Sequence, residues 1–222
     1  MTLLIETMSR GHAMLTADGL SVPNAITGAG INRTDVQKIF PLSLVPIAIA
    51  HHGINLIDGR EVRQVVVDFE KSIAADVLKL DVLMIAEKLR DYVDADATKT
   101  FSNRTNKGVI GFWITGFGPK CSKPELYEIV WLDQPNPQQR QQVTFGGAGQ
   151  KFIKSYLKPP WRFNLLGVND FSEVSAGNCH AGLYKKAEAV QKREREHIFG
   201  GHQHRLLIRK NGWLWLKKPV GA

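Results

Sequence analysis

A chain of 222 residues that is 43% hydrophobic, 23% charged and 9% aromatic is neither disordered nor fibrous, and is long enough to bury one sizeable core. Its formal charge of +8 is either a solvated basic surface or a field that favours acidic partners such as nucleic acid or an anionic surface. The 2 cysteines, Cys121 and Cys179, lack metal-ligand spacing and point to a reducing compartment without a disulfide framework.

Glu6 and Arg10 interrupt any apolar signal-peptide run, and the uncharged stretch 40–57 is too short and too polar to span a membrane, so a soluble cytoplasmic protein is expected. A short apolar strand at Leu3-Leu4-Ile5 is followed by a turn at Ser9-Arg10-Gly11 and a second strand from Ala13 to Ala17 that ends at Asp18. Residues 19–30 are rich in small side chains and read as irregular. Residues 35–42 lead into an apolar run, Val45 to Ala50, which reads as a strand covered on both faces and ends at His51-His52-Gly53.

Two helices are predicted next. Val62, Val66, Phe69 and Ile73 share one helical face, and Val82, Ala86, Leu89 and Val93 repeat the spacing with Asp81 as N-cap. The short link between them implies antiparallel packing. Val109 to Phe117 and Leu126 to Leu132 are β-branched and aromatic strands, and Val143 to Phe145 is a third, short one. Gly146 to Gly149 opens a helical segment containing Phe152, Ile153, Tyr156 and Leu157, stopped by Pro159-Pro160-Trp161. A charged helix is expected over Ala181 to His197. A final hairpin joins Arg205–Arg209 to Trp213–Lys217 through Asn211-Gly212, the pair favoured in a type I′ turn. Trp213 and Trp215 share one face and Leu214 and Leu216 the other, so this last strand reads as interior. Strands and helices alternate in blocks, which implies a layered α+β fold.

Several motifs could carry chemistry. The glycine run 146–149 resembles a phosphate cradle but lacks the Gly-Lys-Ser/Thr ending of a P-loop, and reads as a tight turn bordering a site. His51 and His52 are adjacent on a strand and point to opposite faces, so they do not share a metal. His202 and His204 have no third ligand nearby and read as a surface pair. The basic aromatic C-terminus would suit single-stranded nucleic acid, but its alternation favours core. Removal of Met1 would make Thr2 an N-terminal nucleophile, whose own α-amine can take the hydroxyl proton near neutral pH.

In layout the chain resembles the β-type subunits of the proteasome and the bacterial HslV-type protease, the N-terminal nucleophile hydrolases. Thr2 takes the place of the nucleophile and Asp18 that of the catalytic aspartate. Residues 37–41 resemble the segment that follows the family's catalytic lysine, which itself falls at Thr34 with Arg33 beside it. Ile47 to Gly53 resembles the strand whose end supplies an oxyanion-hole N–H, with Gly53 at the oxyanion glycine if one residue is dropped and His52 there otherwise. Thr144 to Phe152 is similar to the Gly-Ser-Gly turn, with Gly147 as a backbone donor and Ala148 in place of the serine. Glu196 stands at a later aspartate and Phe199 at the last serine, and Gly200-Gly201 with residues 205–216 resembles the closing hairpin.

The resemblance implies a single domain over 1–222, a four-layer αββα sandwich of two antiparallel sheets between helix pairs. It implies a threonine-type peptide or amide hydrolase in a self-compartmentalising homo-oligomeric ring, with peptide or protein substrate and an unfoldase as possible partner. No cofactor, metal or membrane partner is implied. The site would consist of Thr2, Asp18, Arg33 and Glu196 with Gly53 and Gly147. An arginine supplies charge but cannot give up its proton, and Thr34, Ala148 and Phe199 stand at polar positions of the family. The alternative is therefore a non-catalytic ring or scaffold subunit of the same fold. A nucleic-acid-binding module rests on net charge alone.

Overall fold

The computed structural model describes residues 2–21, 33–102, 108–132, 141–146, 151–155, 172–194 and 199–220. The chain opens with β1 (Leu3–Met8) and β2 (His12–Ala17), an antiparallel pair in which every residue is buried. Alternation explains how: Leu3 and Ile5 face one core, while Leu4, with Ala17 opposite, faces another. A strand buried on both faces needs a layer on each side.

Two five-stranded antiparallel sheets provide the framework. The first has the order β10 (Lys151–Ser155), β1, β2, β11 (His204–Arg209), β12 (Gly212–Lys217). The second has the order β3 (Ile39–Pro41), β4 (Ile47–Gly53), β7 (Val109–Gly116), β8 (Glu125–Leu132), β9 (Gln141–Gly146). A small ribbon of β5 (Leu56–Ile57) and β6 (Arg60–Glu61) leads into the helices. Among the described residues there are three α-helices: α1 (Val62–Ile73), α2 (Val82–Ser102) and α3 (Glu173–Glu194). The protein is thus α+β, with two antiparallel sheets and three helices.

The predicted helical faces are the buried ones. Val62, Val66, Phe69 and Ile73 of α1 and Val82, Ala86, Leu89 and Val93 of α2 share a core with Ile47, Ile49, Phe112 and Ile114 of the second sheet. Asp81 caps α2, its Oδ1 accepting the N–H of Met84 at 2.8 Å. Between the sheets, Leu4, Leu15 and Leu206 meet Ile39, Ala48, Ala50 and Trp113. Leu183, Tyr184 and Ala187 of α3 cover Leu3 and Ile5. Among the described residues no helix is long and apolar enough to cross a membrane.

Four expectations are corrected. The segment expected to be helical at Phe152 and Ile153 is strand β10, paired with β1 from Leu3↔Ser155 to Thr7↔Lys151. The partner strand β1 decides this, because its backbone groups would otherwise be left buried and unpaired. Tyr156, Leu157 and the Pro159-Pro160-Trp161 stop lie outside the described residues. Helix α3 begins at Glu173, well before the expected Ala181, because Ser172 caps it through a 3.1 Å bond from the N–H of Ser175 to its Oγ. In the last hairpin Arg209 pairs with Gly212, so Lys210 and Asn211 form the loop. Asp58 is the only non-glycine residue with positive φ among those described, so the turn is not type I′. Strand β12 is an edge strand, with Leu214 51% and Leu216 44% exposed, not an interior one.

Two titratable groups are sealed into these layers. Glu6 is fully buried and accepts a hydrogen bond from Thr115 of the facing sheet, and burial pushes its carboxyl up to about 8. His180 of α3 is fully buried between Thr7 and Thr16, at 3.0 Å from Nε2 and 2.7 Å from Nδ1. Arg205 Nε donates to Thr16 Oγ1 at 3.1 Å. That arginine can only donate, so Thr16 Oγ1 accepts from it and keeps its own proton and a second lone pair for the imidazole. Burial, reinforced by Arg205, pushes this imidazole down to about 3.

The two groups act on stability with opposite sign. The folded state holds the Glu6 proton more tightly than the unfolded chain, so stability falls as pH rises from the ordinary carboxyl range, near 4.5, through about 8. The folded state resists protonating His180, so stability falls as pH drops from 6.5 toward about 3. Urea unfolding across pH should therefore give a dome. Glu6→Gln should flatten its alkaline limb, by on the order of several kcal/mol at the top of the range, and leave the acid limb in place.

Candidate functional site

The site forms where the first hairpin ends. Asp18 follows β2 directly and is completely buried. Its Oδ1 accepts the N–H of Leu3 at 2.9 Å and the Nζ of Lys38 at 2.8 Å. Its Oδ2 accepts the N–H of Leu20 at 3.2 Å and that of Gly200 at 3.1 Å. The N–H of Asp18 returns to Leu3 O at 3.2 Å. Thr2, only 2% exposed, is thus fixed beside the carboxylate through the residue that follows it.

Lys38 is the cation of this site, a residue the motif spacing does not single out. It precedes β3, and its carbonyl accepts the N–H of His51 at 2.8 Å, which anchors the segment to β4. The side chain is 4% exposed and also donates to Leu20 O at 2.7 Å. Burial pushes the ammonium below the usual lysine range, and Asp18 pulls it partly back. A signal was present in the sequence: a lone lysine set between Val36 and the apolar pair Ile39-Phe40, where a solvated lysine has no place.

Arg33 does not reach the site. A backbone bridge to Ser21 holds it at the surface, where Nη1 meets Glu61 Oε1 at 3.1 Å and Nε lies 3.6 Å from Asp35 Oδ1. The positive charge beside Asp18 is that of Lys38, four positions after Thr34, where the resemblance placed the lysine, and five after Arg33. Thr34, at the expected lysine position, instead gives its carbonyl to the N–H of His202 at 2.6 Å. A Cβ on Gly201 would lie 2.4 Å from that same carbonyl, which explains the glycine.

Of the remaining expected residues, Gly53 and Phe199 are described. Gly53 ends β4 with φ +96, and a Cβ there would sit 2.1 Å from Val109 O; close backbone packing accounts for the glycine. Phe199 is buried against Tyr184, ring centroids 5.7 Å apart, and its backbone bonds to Gln191 in both directions. Gly200, next to it, completes the shell of Asp18. Glu196, Gly147 and Ala148 lie outside the described residues.

The histidines separate as alternation requires. His51 packs on Phe112 toward α1 and α2, with ring centroids 5.3 Å apart. His52 turns the other way, 3.5 Å from Glu128, with its ring lying over Gly111 where a Cβ would be only 1.8 Å from it. His202 is exposed and bonds Lys218 O at 2.8 Å, whereas His204 is fully buried, so the expected surface pair is only half one. Pairing of His204 with Ala17, next to Asp18, carries it inside.

Neither a protein-family model nor a curated protein matches the chain. Among solved structures, the Anbu (Gly-1) mutant from Hyphomicrobium sp. strain MC1 is similar, with a TM-score of 0.65 and 11% identity over 100% of this chain and 88% of that one. At that identity the likeness is one of fold.

The buried pair gives a direct test. Removing one partner leaves the other charged and without water, so Lys38→Met and Asp18→Asn should each cost roughly 3–5 kcal/mol in denaturant unfolding. The double variant should cost clearly less than their sum.

Assignment to the proteasome β-subunit and HslV-type family, drawn from short motifs, is corrected by these comparisons: no family match supports it, and what the chain shares is the fold of an Anbu protein.

Proposed function

We propose that the chain is a single-domain, threonine-type amide or peptide hydrolase that acts as a subunit of a homo-oligomeric ring, with Thr2 as nucleophile once Met1 is removed. The observation that carries this reading is the buried Lys38–Asp18 pair, 2.8 Å across, one residue from Thr2. A nucleophilic hydroxyl needs a base close by and a positive field that keeps that base unprotonated. Thr2 would bring the base itself, as its α-amine. Lys38, held below its usual range, would supply the field and could share the proton, roles that Arg33 cannot fill from the surface. Packing of α1 and α2 on the second sheet and of α3 on the first supports the reading of a four-layer αββα sandwich.

In this reaction the Thr2 Oγ1 attacks the substrate carbonyl carbon while its proton passes to the α-amine. The tetrahedral oxyanion collapses with loss of the amine, which takes that proton. Water then hydrolyses the ester and restores the hydroxyl. Backbone N–H groups at Gly53 and Gly147 are the proposed oxyanion donors and Glu196 a proposed supporting carboxylate. The second reading, a non-catalytic ring subunit, is favoured by Phe199, which brings an apolar ring where a hydroxyl was expected.

Intact mass should show loss of Met1, and a peptide epoxyketone, which needs both hydroxyl and α-amine, should add one equivalent to Thr2. Arg33→Ala should leave the addition rate within about twofold, whereas Lys38→Arg should slow it by at least ~10²-fold. Retained Met1, or a folded protein inert to the epoxyketone, would sink the catalytic reading. A ring by native mass spectrometry without turnover would support the second.

A further inference from the structure

The last strand is built unlike the rest of its sheet. The buried faces of β1, β2 and β11 are covered by α3 or by the second sheet, whereas β12 is covered only in part, by Trp215 packing on the core between the sheets and Trp213 bonding Leu42 O at 2.9 Å. Leu214 and Leu216 are 51% and 44% exposed on one face and Trp213 is 37% exposed on the other. Among the described residues its outer edge has no strand beside it in the sheet order. Antiparallel pairing turns the N–H and C=O of every second residue toward that open side. An edge that is apolar on both faces is the kind that natural sheets cover or blunt. A groove of about 210 Å³ lies along the same hairpin, lined by Leu207, Arg209, Asn211, Gly212, Trp213 and Leu214.

Charge indicates what covers it. Lys210 stands exposed at one end of the strand, and Lys217 and Lys218 at the other. No acidic residue occurs from 205 to 222. Arg209 is already matched by Glu173, at 2.6 and 2.7 Å. A second copy pairing antiparallel through the same edge would bring Lys217 and Lys218 of one chain against Lys210 of the other. Like charges at both ends oppose that association. An extended segment with apolar residues in its middle and carboxylates at its ends meets every feature of the edge.

We propose that the open edge of β12 docks an extended, acidic-ended segment of a partner protein, which joins the first sheet as an added strand. Backbone hydrogen bonds supply affinity, Leu214 and Leu216 select apolar alternate positions, and the lysines select the ends. The inference does not depend on any chemistry at Thr2.

The probe is a short fluorescein-labelled peptide of alternating valine and threonine with aspartate and glutamate at both ends, titrated into the full chain and read by anisotropy. Saturable binding is expected, weakening about tenfold or more when Lys217 and Lys218 are both changed to glutamate. It should weaken similarly when alternate peptide amides are N-methylated, a change that leaves the protein untouched. Three results would overturn the proposal. One is no saturable binding at millimolar peptide. Another is binding indifferent to both charge reversal and N-methylation. The third is a homo-oligomer in native mass spectrometry that Leu214→Lys dissociates, which would show that a second copy occupies the edge.

Discussion

The carboxylate of Asp18 joins its own turn to three parts of the chain that are distant in sequence. Its two oxygens accept from Leu3, Leu20, Lys38 and Gly200. These donors come from the first strand, the segment after β2, the approach to β3 and the turn before β11. An ionised group in a dry interior costs several kcal/mol unless its partners are complete. The pair therefore specifies the native arrangement more than it stabilises it, since an arrangement lacking any one donor leaves charge buried without compensation.

The same logic recurs in the other polar groups between the layers. Thr115 reaches across to Glu6 and so fixes one sheet against the other. His180 ties α3 to β1 and β2 through Thr7 and Thr16, and Arg205 extends that network to the carbonyl of Gly177. His52 and Glu128 meet beside Trp113, whose Nε1 donates to the same carboxylate at 3.1 Å. Apolar packing alone tolerates sliding of one sheet over the other. Hydrogen bonds of fixed length and direction do not, so these groups set the register between layers that the hydrophobic cores hold together.

Among the described residues β12 is the strand of the first sheet that carries large exposed apolar side chains. The interior strands of that sheet have both faces covered, while β12 leaves its edge and parts of both faces in water. Under the docking proposed for this edge, the cations at either end of β12 would oppose its pairing with itself, and the Trp213 indole is fixed by a 2.9 Å bond to Leu42 O. A candidate reactive site sealed by backbone donors and an open apolar edge thus occupy different parts of the first sheet.

The sequence by itself determined the elements whose periodicity is strong. The hairpin at Ser9–Gly11, the two amphipathic helices with Asp81 as cap, the aromatic strands β7 and β8 and the opposite facing of His51 and His52 follow from local pattern. So does the nearness of Thr2 and Asp18, because a hairpin brings its two ends together. Tertiary structure alone decided the rest. Phe152 and Ile153 form a strand because β1 needs a partner on that edge, and nothing local reports that need. Strand β12 is exposed because the layers cover it only in part, although its apolar pattern is that of a buried strand. Lys38 rather than Arg33 meets Asp18 because the bridge between Ser21 and Arg33 turns the arginine outward and the anchor to His51 turns the lysine inward. Charge type can be read from a residue, but which of two nearby cations loses its water is settled only by the backbone that carries it.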